Sequence, residues 1–302
     1  SGATSLFDVR RSMFDVRRLS FKGNKGKNAI MRIAELNTFS HHQVTFIDDK
    51  TSISLRHKLI SEEPLSIYVQ EKLYSITMRT PGDELPHVAG FCLAEGIIEK
   101  PDDFTSLSFC DTTDTNGVII TLTESRINRI SHLLDKQRYN YEPGRCLSCR
   151  EMVNNLYQSI HPFKDETGID INKAIDCLEK LTDHQPLRHH THASHAAALY
   201  DSNYSLLSAA EDVGRHNAID KAIGKLFLDR RLNKASFVIL SPRISYELVQ
   251  KAARAHIPII LAISRPTSLA VELASQLNMT LACLAKNSGL YIFCGKQRLL
   301  NY

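Results

Sequence analysis

Residues 236–285 read SFVILSPRISYELVQKAARAHIPIILAISRPTSLAVELASQLNMTLACLA, and this stretch decides the fold class. Its two continuous apolar runs, Ser236–Leu240 and Ile257–Ile263, predict buried strands. The segments after them, Ser245–Ala255 and Pro266–Leu277, predict helices, the second with a proline near its start, where helices tolerate it. Apolar strands that alternate with helices imply a sheet covered on both faces. The stretch therefore predicts a three-layer α/β/α architecture.

The same alternation continues on both sides of this stretch. A helix predicted over Asn217–Arg230 carries apolar residues at helical spacing. We therefore predict one α/β domain over residues 135–302. Its further strands are predicted at Ser194–Tyr200, Leu206–Ala210, Thr280–Ala285 and Leu290–Phe293, and its further helices at Cys146–His161 and Asn172–Leu181.

The N-terminal half predicts a smaller α+β domain over residues 33–134. Arg79–Asp83 has the composition of a turn, and Glu84–Glu95 predicts a helix that ends at Gly96. Short strands with antiparallel pairing are predicted around this helix, at Val44–Ile47, Leu65–Val69, Leu73–Met78 and Val118–Leu122.

Composition and charge exclude several classes of protein. Hydrophobic residues make up 43% of the 302 residues and charged residues 23%, as in globular proteins rather than disordered or coiled-coil chains. The net charge is +4, but residues 1–32 carry a net +6, so the remainder is close to neutral. A nucleic-acid partner is not expected, because a protein that binds nucleic acid would carry its basic charge on the folded domain. We expect residues 1–32 to be a dispensable flexible tail, with Met13 or Met31 as the natural start. No apolar run reaches the roughly 18 residues of a membrane span, so no membrane association is expected.

Seven cysteines, with no apolar signal segment ahead of them, favour a reducing cytoplasm over a disulfide framework. Cys146 and Cys149 form a CxxC pair just before a predicted helix, whose amino end stabilises a thiolate. Arg145 and Arg150 add positive charge on either side. A thiolate is the nucleophile for disulfide exchange and for accepting a sulfur atom. The other five thiols lie among apolar residues and are predicted to be buried: Cys92, Cys110, Cys177, Cys283 and Cys294.

The CxxC pair alone leaves three interpretations open: redox or sulfur chemistry, half of a metal site, or incidental surface thiols. No second CxxC is present to complete an all-cysteine zinc site. The histidine-rich run Leu187–His195 predicts a partly solvated loop, with ligand contacts or a metal site as alternatives. None of the 13 histidines is followed two residues later by glutamate, so the zinc chemistry of a nucleotide deaminase is not expected.

The segment Glu211–Gly224 is the densest polar cluster and lies where a predicted strand gives way to a helix. Ligands of open α/β sheets gather at the carboxyl ends of strands and at helix amino ends. Gly214 would let the backbone approach an anion, while Arg215 and His216 would supply charge and hydrogen bonds.

A purely structural interpretation of this cluster is also open. In it, Asp212 or Asn217 caps the helix, and Asp220 and Lys221 are solvated. The ligand site is favoured because arginine follows two further predicted strands, so that three junctions predict a site for a phosphate-bearing ligand. The two further junctions are Ser241–Ser245 and Ser264–Ser268.

From Pro64 to the C-terminus, the chain resembles the formate dehydrogenase accessory protein family (FdhD), sulfur carriers in molybdenum cofactor maturation. In the N-terminal half the resemblance lies at Glu63–Ile67, Met78–Asp83 and Ala94–Ile98. In the C-terminal half it lies at Cys146-x-x-Cys149, His195–Leu199, Glu211–Gly224, Arg243–Ser245 and Pro266–Ala270.

The resemblance implies a cytidine-deaminase-like C-terminal domain, a homodimer and a cytoplasmic sulfurtransferase-type carrier without a permanent cofactor or metal. It implies that a cysteine desulfurase supplies sulfur, that Cys146 carries it as a persulfide and that Cys149 has a supporting role. The recipient is the molybdenum of a bis-(molybdopterin guanine dinucleotide) cofactor bound for formate dehydrogenase. The residues expected to bind this cofactor are His195, Arg215, His216, Arg243, Leu284, Ala285, Lys286, Asn287, Ser288 and Gly289.

Overall fold

The architecture combines two larger sheets with helices, as the sequence predicts for a mixed α/β chain. A computed structural model describes residues 38–111, 115–134, 160–164, 167–285 and 289–301. The strands are β1 (Phe39–Ile47), β2 (Ser52–Ile60), β3 (Glu63–Val69), β4 (Lys72–Arg79), β5 (Phe104–Phe109), β6 (Gly117–Leu122), β7 (Ile169–Asp170), β8 (His195–Tyr200), β9 (Leu206–Asp212), β10 (Phe237–Leu240), β11 (Ile259–Ala262), β12 (Thr280–Leu284), β13 (Leu290–Cys294) and β14 (Leu299–Leu300). The helices are α1 (Glu84–Ala94), α2 (Glu124–Leu134), α3 (Ile171–Glu179), α4 (Pro186–Thr191), α5 (Arg215–Leu228), α6 (Tyr246–Arg254) and α7 (Ser268–Gln276).

The C-terminal half is built on a six-stranded sheet with the strand order β13-β12-β11-β10-β8-β9. Strands β10, β11 and β12 run parallel, with Phe237 opposite Ile259. Strand β8 is antiparallel to both of its neighbours, so β9 runs in the same direction as β10. Strand β13 is the outermost strand on the other side of the sheet and runs antiparallel to β12. The strands predicted in this half are all present, and α5 begins at Arg215, two residues earlier than predicted.

Successive residues of β10 point into two separate apolar clusters. Val238 packs in a cluster that contains Ile219 of α5, and Phe237 packs in one that contains Leu178 of α3. Val238 and Phe237 are fully buried. Helices therefore cover both faces of the sheet, as the continuous apolar strands predicted. The likeness to cytidine deaminases stays a prediction.

The N-terminal half contains a four-stranded sheet with the order β4-β3-β6-β5. Strand β3 pairs antiparallel with β4 but parallel with β6, so the predicted antiparallel pairing is wrong at that position. The cause is the route of the chain, which crosses through α1 and returns along β5 before it enters β6. Leu65 of β3 and Val118 of β6 lie in the same apolar cluster as α5. The predicted domain boundary at residue 134 stays a prediction.

Helices α1 and α5 cross with their backbones in close contact. A Cβ atom at Gly224 would lie 1.8 Å from the carbonyl oxygen of Pro86, and one at Gly90 would lie 2.0 Å from that of Asp220. Only glycine fits at either position without a shift of backbone. This crossing fixes the amino end of α5 relative to the turn that precedes α1.

Some predictions differ from the structure. Cys110 is exposed, while Cys294 is half-buried and the other three described thiols are buried. Cys110 follows the last residue of β5, an edge strand, so its apolar sequence neighbours do not cover it. Strands β2 and β5 and helix α2 were not predicted. None of the described helices is long and apolar enough to cross a membrane. The predicted tail 1–32, and the predicted helix Cys146–His161 as far as residue 159, lie outside the described residues.

Candidate functional site at one edge of the sheet

One edge of the six-stranded sheet gathers most of the residues predicted to bind a ligand. The carboxyl ends of β9, β10, β11 and β12 lie at this edge, together with the amino ends of β8 and β13. His195 is the first residue of β8 and stands opposite Asp212, the last residue of β9. Arg215 and His216 open α5 directly after β9, and Arg243 follows β10. The fold thus places the predicted residues of three separate segments at the same edge.

The predicted cofactor stretch begins at this edge too. Leu284 is the last residue of β12, and the backbone N–H of Ala285 donates to the carbonyl oxygen of Gly289 at 2.7 Å. This hydrogen bond closes a short connection to β13. A Cβ atom at Gly289 would meet nothing within 4 Å. The remaining predicted site residues lie outside the described residues, and their roles stay predictions: Lys286, Asn287, Ser288, Cys146 and Cys149.

The serines at two of the predicted junctions bind neighbouring strand ends. The Oγ of Ser241 accepts a hydrogen bond from the Ala196 N–H at 2.8 Å, and the Ser241 N–H donates to the Ala196 carbonyl at 3.0 Å. The Oγ of Ser264 donates to the Ser241 carbonyl at 3.4 Å. These hydroxyls therefore help to hold β8, β10 and β11 in register.

Arg215 and Arg243 have no acidic partner within hydrogen-bonding distance among the described residues. Arg243 is exposed, whereas Arg215 is half-buried, and its Nε is buried without a hydrogen-bond acceptor in the described part of the chain. Arg265, after β11, lies 5.1 Å from the ring of Tyr291 in β13. The Nε of Arg215 is therefore available to donate a hydrogen bond to a further acceptor. The edge is electropositive and suited to an anion.

His216 makes its own polar contacts at the start of α5. Its Nε2 lies 2.8 Å from Oε2 of Glu247 and 3.3 Å from Oγ of Ser245, which in turn donates to Glu247 at 3.2 Å. The hydrogen bond from His216 lowers the pKa of Glu247 to about 2. Both partners meet the same ring nitrogen, so the three side chains do not form a nucleophile–base–acid relay, which uses both nitrogens. The contacts instead orient the imidazole.

His195 has an imidazole that stays neutral at neutral pH. Burial lowers its pKa, and the charges of Arg215 and Arg188 lower it further, although Asp212 acts in the opposite direction. A neutral imidazole offers one hydrogen-bond donor and one acceptor. His195 can therefore contact a ligand that carries both kinds of group.

Beneath this edge, the fully buried Asp212 holds the start of α5 in place. Its Oδ2 accepts a hydrogen bond from the Thr80 N–H at 3.1 Å and lies 2.6 Å from the Nζ of Lys221. Its Oδ1 accepts from the Gly214 N–H at 2.8 Å and from the Asn217 Nδ2 at 2.9 Å. The carboxylate therefore contacts the turn before α1, the backbone ahead of α5 and the first turns of α5.

The structural interpretation with solvated charges is wrong. Asp220 is 1% exposed and Lys221 2%, because α1 packs over this side of α5. Gly214 occupies the capping position of α5, so neither Asp212 nor Asn217 does, although the Asp212 carboxylate accepts a hydrogen bond from the Gly214 N–H. A Cβ at Gly214 would lie 2.6 Å from Nδ2 of Asn217. Glycine at this position leaves room for the amide, and the predicted approach of the backbone to an anion stays a prediction.

The chain is similar to proteins of one family along most of its length. A family model described as the FdhD/NarQ family matches residues 60–300. The chain belongs to the FdhD/NarQ family. The Sulfur carrier protein FdhD of Streptomyces coelicolor is 33% identical over 251 residues, which are 80% of this chain and 88% of that protein. The protein of the same name from Sulfurisphaera tokodaii is 35% identical over 243 residues, with 79% and 90% covered.

A solved structure shows the same fold. The crystal structure of a Desulfotalea psychrophila protein assigned as a formate dehydrogenase accessory protein matches with a TM-score of 0.70 at 23% identity. The match covers 87% of this chain and 100% of that one. The family model and the two relatives confirm the family resemblance predicted from the sequence, and the solved structure adds the fold.

In this FdhD/NarQ chain, most of the histidine-rich run forms helix α4 rather than the predicted loop. The carboxylate of Glu211 in β9 accepts hydrogen bonds from the N–H groups of Leu187 at 2.7 Å and Arg188 at 2.9 Å. This cap comes from a distant strand, so the local sequence could not reveal it. Across the described ranges, no three or more His, Cys, Asp or Glu side chains converge to hold a metal ion.

The contribution of Thr80 to this FdhD/NarQ site was not predicted. Thr80 lies within Met78–Asp83, one of the stretches that carry the family resemblance, and this was the available signal. Its sequence predicted only a turn, and a turn gives no indication of the strand that it will contact. The contact between Thr80 and Asp212 depends on the crossing of α1 and α5.

Proposed function

We propose that this FdhD/NarQ protein is a sulfur carrier of the sulfurtransferase type. It accepts sulfane sulfur as a Cys146 persulfide and delivers it to the molybdenum of a bis-(molybdopterin guanine dinucleotide) cofactor. The electropositive sheet edge carries this proposal, because Arg215 and Arg243 lack acidic partners among the described residues and are available to pair with the phosphates of the cargo. The relatives that bear the name sulfur carrier protein support the same role.

The chemistry begins at Cys146, the first thiol of the CxxC pair. Its thiolate attacks the outer sulfur of a persulfide on a cysteine desulfurase, and the desulfurase cysteine leaves as a thiolate. One S–S bond forms as another breaks, so the transfer needs no external electrons. Arg145 and Arg150 favour the thiolate form of Cys146 through their positive charge.

Release of the sulfur as sulfide requires two electrons, and Cys149 can provide them. The Cys149 thiolate attacks the inner sulfur of the Cys146 persulfide, so that sulfide leaves toward the metal and a Cys146–Cys149 disulfide remains. A cellular dithiol then reduces this disulfide before the next cycle. This step is the supporting role that we propose for Cys149.

The cargo matches the sheet edge in charge and in hydrogen-bonding groups. Its pyrophosphates are anionic, and guanidinium groups bind phosphate through two parallel hydrogen bonds. Arg215 and Arg243 would hold phosphate oxygens, and the Nε of Arg215 is a buried donor without an acceptor in the described chain. His195 and His216 would add hydrogen bonds. We expect further contacts with the cargo from the connection between β12 and β13, which comprises Leu284, Ala285, Lys286, Asn287, Ser288 and Gly289.

A carrier of this kind needs two protein partners. A cysteine desulfurase supplies the sulfur, and a formate dehydrogenase receives the sulfurated cofactor. We place both encounters in the cytoplasm, where the thiols of the CxxC pair stay reduced.

Mass spectrometry of the purified full chain tests the first step. Incubation with a desulfurase and cysteine should add one sulfur atom to Cys146, and the Cys149→Ala variant should retain it because it lacks the thiol that releases the sulfur. The Cys146→Ala variant should gain none and should not restore formate dehydrogenase activity to cells that lack the protein. The matched control Cys110→Ala removes an exposed thiol outside the CxxC pair and should behave like the wild type.

Two outcomes would contradict the carrier mechanism. If Cys146→Ala restores formate dehydrogenase activity, the protein is a non-catalytic chaperone of the molybdenum cofactor. If the purified chain contains zinc, or cycles through a disulfide without gaining sulfur, it is a metal-binding or redox CxxC protein.

A further inference from the structure

An exposed aromatic ring lies at the edge of the six-stranded sheet that carries the candidate site. Tyr291 is the second residue of β13 and stands directly opposite Cys283 of β12, close to the end of that strand. Tyr291 is 47% exposed. An aromatic side chain presents a large apolar surface, which gains free energy when another flat group covers it. The proposed roles of the site leave this ring without a function.

Tyr291 lies on the same face of the sheet as the helix that Arg215 opens. Along β12, Leu281 belongs to the apolar cluster that includes α5, and Ala282 belongs to the cluster on the opposite face. Side chains alternate along a strand, so Cys283 returns to the face of Leu281, and Tyr291 shares that face because it pairs with Cys283. The ring and the amino end of α5 are therefore at the same edge and on the same face.

A guanidinium group supports this ring from one side. The central carbon of the Arg265 guanidinium lies over the Tyr291 ring, 5.1 Å from the ring centroid. Such a cation–π contact is electrostatically favourable, and it restricts the rotation of the ring. Arg265 follows β11, in one of the three strand–helix junctions predicted to form the ligand site. The contact therefore joins the aromatic side chain to the site, while the exposed part of the ring stays open to a ligand.

We propose that Tyr291 is a stacking platform for a guanine base of the cargo, an inference that rests on the proposed function. The proposed cargo joins guanine bases to pyrophosphates, and bases stack on exposed aromatic side chains. Neighbouring strands lie about 4.8 Å apart, so the three steps from β10 to β13 span roughly 14 Å. Arg243, after β10, and Tyr291, in β13, are thus placed for the diphosphate and the base of one nucleotide.

A stacked base adds a selectivity that charge alone does not provide. Arg215 and Arg243 would pair with phosphate oxygens, and a molybdopterin without its nucleotide carries phosphate as well. The ring of Tyr291 contributes apolar and π contacts, which a phosphate group cannot make. The site therefore holds the guanine dinucleotide form of the cofactor more tightly than the form that lacks the nucleotide.

Calorimetric titration of the full chain with guanosine diphosphate, and separately with inorganic pyrophosphate, tests this assignment at fixed salt. Tyr291→Leu keeps an apolar side chain but removes the ring, so it should raise the dissociation constant of guanosine diphosphate by about fivefold or more. Its affinity for pyrophosphate should be unchanged. Tyr291→Phe keeps the ring and should bind both ligands like the wild type. The matched control Phe46→Leu removes a ring of β1 that is 48% exposed, and it should change neither affinity.

Four results would overturn the assignment. If Tyr291→Leu binds guanosine diphosphate as tightly as the wild type, the base lies elsewhere, and the proposed function still stands. If Tyr291→Leu loses both ligands equally, the residue shapes the phosphate site and stacks no base. If it loses only binding of neopterin, a third probe, the ring holds the pterin of the cargo. If the wild type binds none of the three probes, the proposed function is wrong, and this assignment with it.

Discussion

The backbone N–H of Thr80 donates to the buried carboxylate of Asp212 at 3.1 Å and joins the turn before α1 to the end of β9. The other polar groups of Thr80 also form hydrogen bonds with residues near the start of α5. Its Oγ1 accepts from the Val213 N–H at 3.0 Å, and its carbonyl accepts from the Nζ of Lys221 at 2.7 Å. A residue of the N-terminal half thus fixes the backbone that leads to Arg215, at the edge where we propose that the cargo binds.

Removal of the Asp212 charge should destabilise the fold strongly. Asp212→Asn leaves Lys221, which is 2% exposed, without its anion, and breaking one side of a buried pair costs about 3–5 kcal/mol. In a chain of this size we expect the melting temperature to fall by about 10 °C. The matched control Asp102→Asn breaks an exposed pair with Arg230 and should cost under about 1 kcal/mol. Thermal unfolding followed by circular dichroism measures the melting temperature of both variants. Equal losses would show that the buried pair stabilises the fold no more than the exposed pair does.

Replacement of a glycine by alanine at the crossing of α1 and α5 should also destabilise the fold, although alanine has the higher intrinsic helix propensity. Alanine favours a helix over glycine by about 1 kcal/mol, yet a Cβ at Gly224 would lie 1.8 Å from the carbonyl oxygen of Pro86. We expect Gly224→Ala to lower the free energy of unfolding by about 3 kcal/mol or to prevent folding. Gly289→Ala, where the Cβ has open space, should change it by less than about 0.5 kcal/mol. Urea unfolding measures the difference, and a stable Gly224→Ala protein would mean that the crossing is looser than described.

Local patterns in the sequence predicted the elements that depend on them. The apolar run at Ser236–Leu240 and the stripe in Asn217–Arg230 were sufficient for β10 and α5. The alternation of Ile53, Leu55 and Leu59 was also available, and it marks β2, which was not predicted. By contrast, the cap of α4 by Glu211 depends on a contact between segments distant in the sequence. No local pattern carries such information.

The candidate site, too, could be predicted only in part from the sequence. The family motifs and the strand–helix junctions located Arg215, His216 and Arg243 before their shared edge was known. The burial of Asp220 and Lys221 was not predicted, because charged side chains are rarely buried and only the packing of α1 encloses them.

Loss of the Arg243 guanidinium should weaken binding of guanosine diphosphate, which shares the guanine and the diphosphate of the proposed cargo. Arg243 has no acidic partner within the described residues, so Arg243→Ala should remove a phosphate contact and raise the dissociation constant by about tenfold. Isothermal titration calorimetry at fixed salt measures this. Arg230→Ala removes an arginine that already pairs with Asp102, and it should leave the affinity unchanged. Equal affinities of wild type and Arg243→Ala would place the phosphates elsewhere.

His87 should make the protein less stable in mild acid. Burial, with the charges of Lys221 and Lys251, holds the pKa of His87 well below its usual value, so its ring is neutral in the folded protein. The unfolded chain binds a proton at this residue below about pH 6.5, which favours unfolding by about 1.4 kcal/mol per further pH unit. The free energy of unfolding, measured in urea, should therefore be lower one unit below pH 6.5 than at neutral pH.

Matched variants isolate the contribution of His87. His87→Gln should lose that part of the pH dependence, whatever its own stability. His41→Gln, on an exposed strand, should keep it. The same acid-induced loss in wild type and His87→Gln would assign the pH dependence to other groups.

The glycine-on-glycine crossing of α1 and α5 also limits how proteins of this fold can be recombined. A chimera that takes the segment with Gly90 from one parent and the segment with Gly224 from another inherits two surfaces shaped for different partners. It will fold only if both parents leave these two positions without a side chain, or if both helices come from the same parent. Directed evolution by gene shuffling should therefore place its crossovers outside the interval from α1 to α5, and exchange the two helices as one unit.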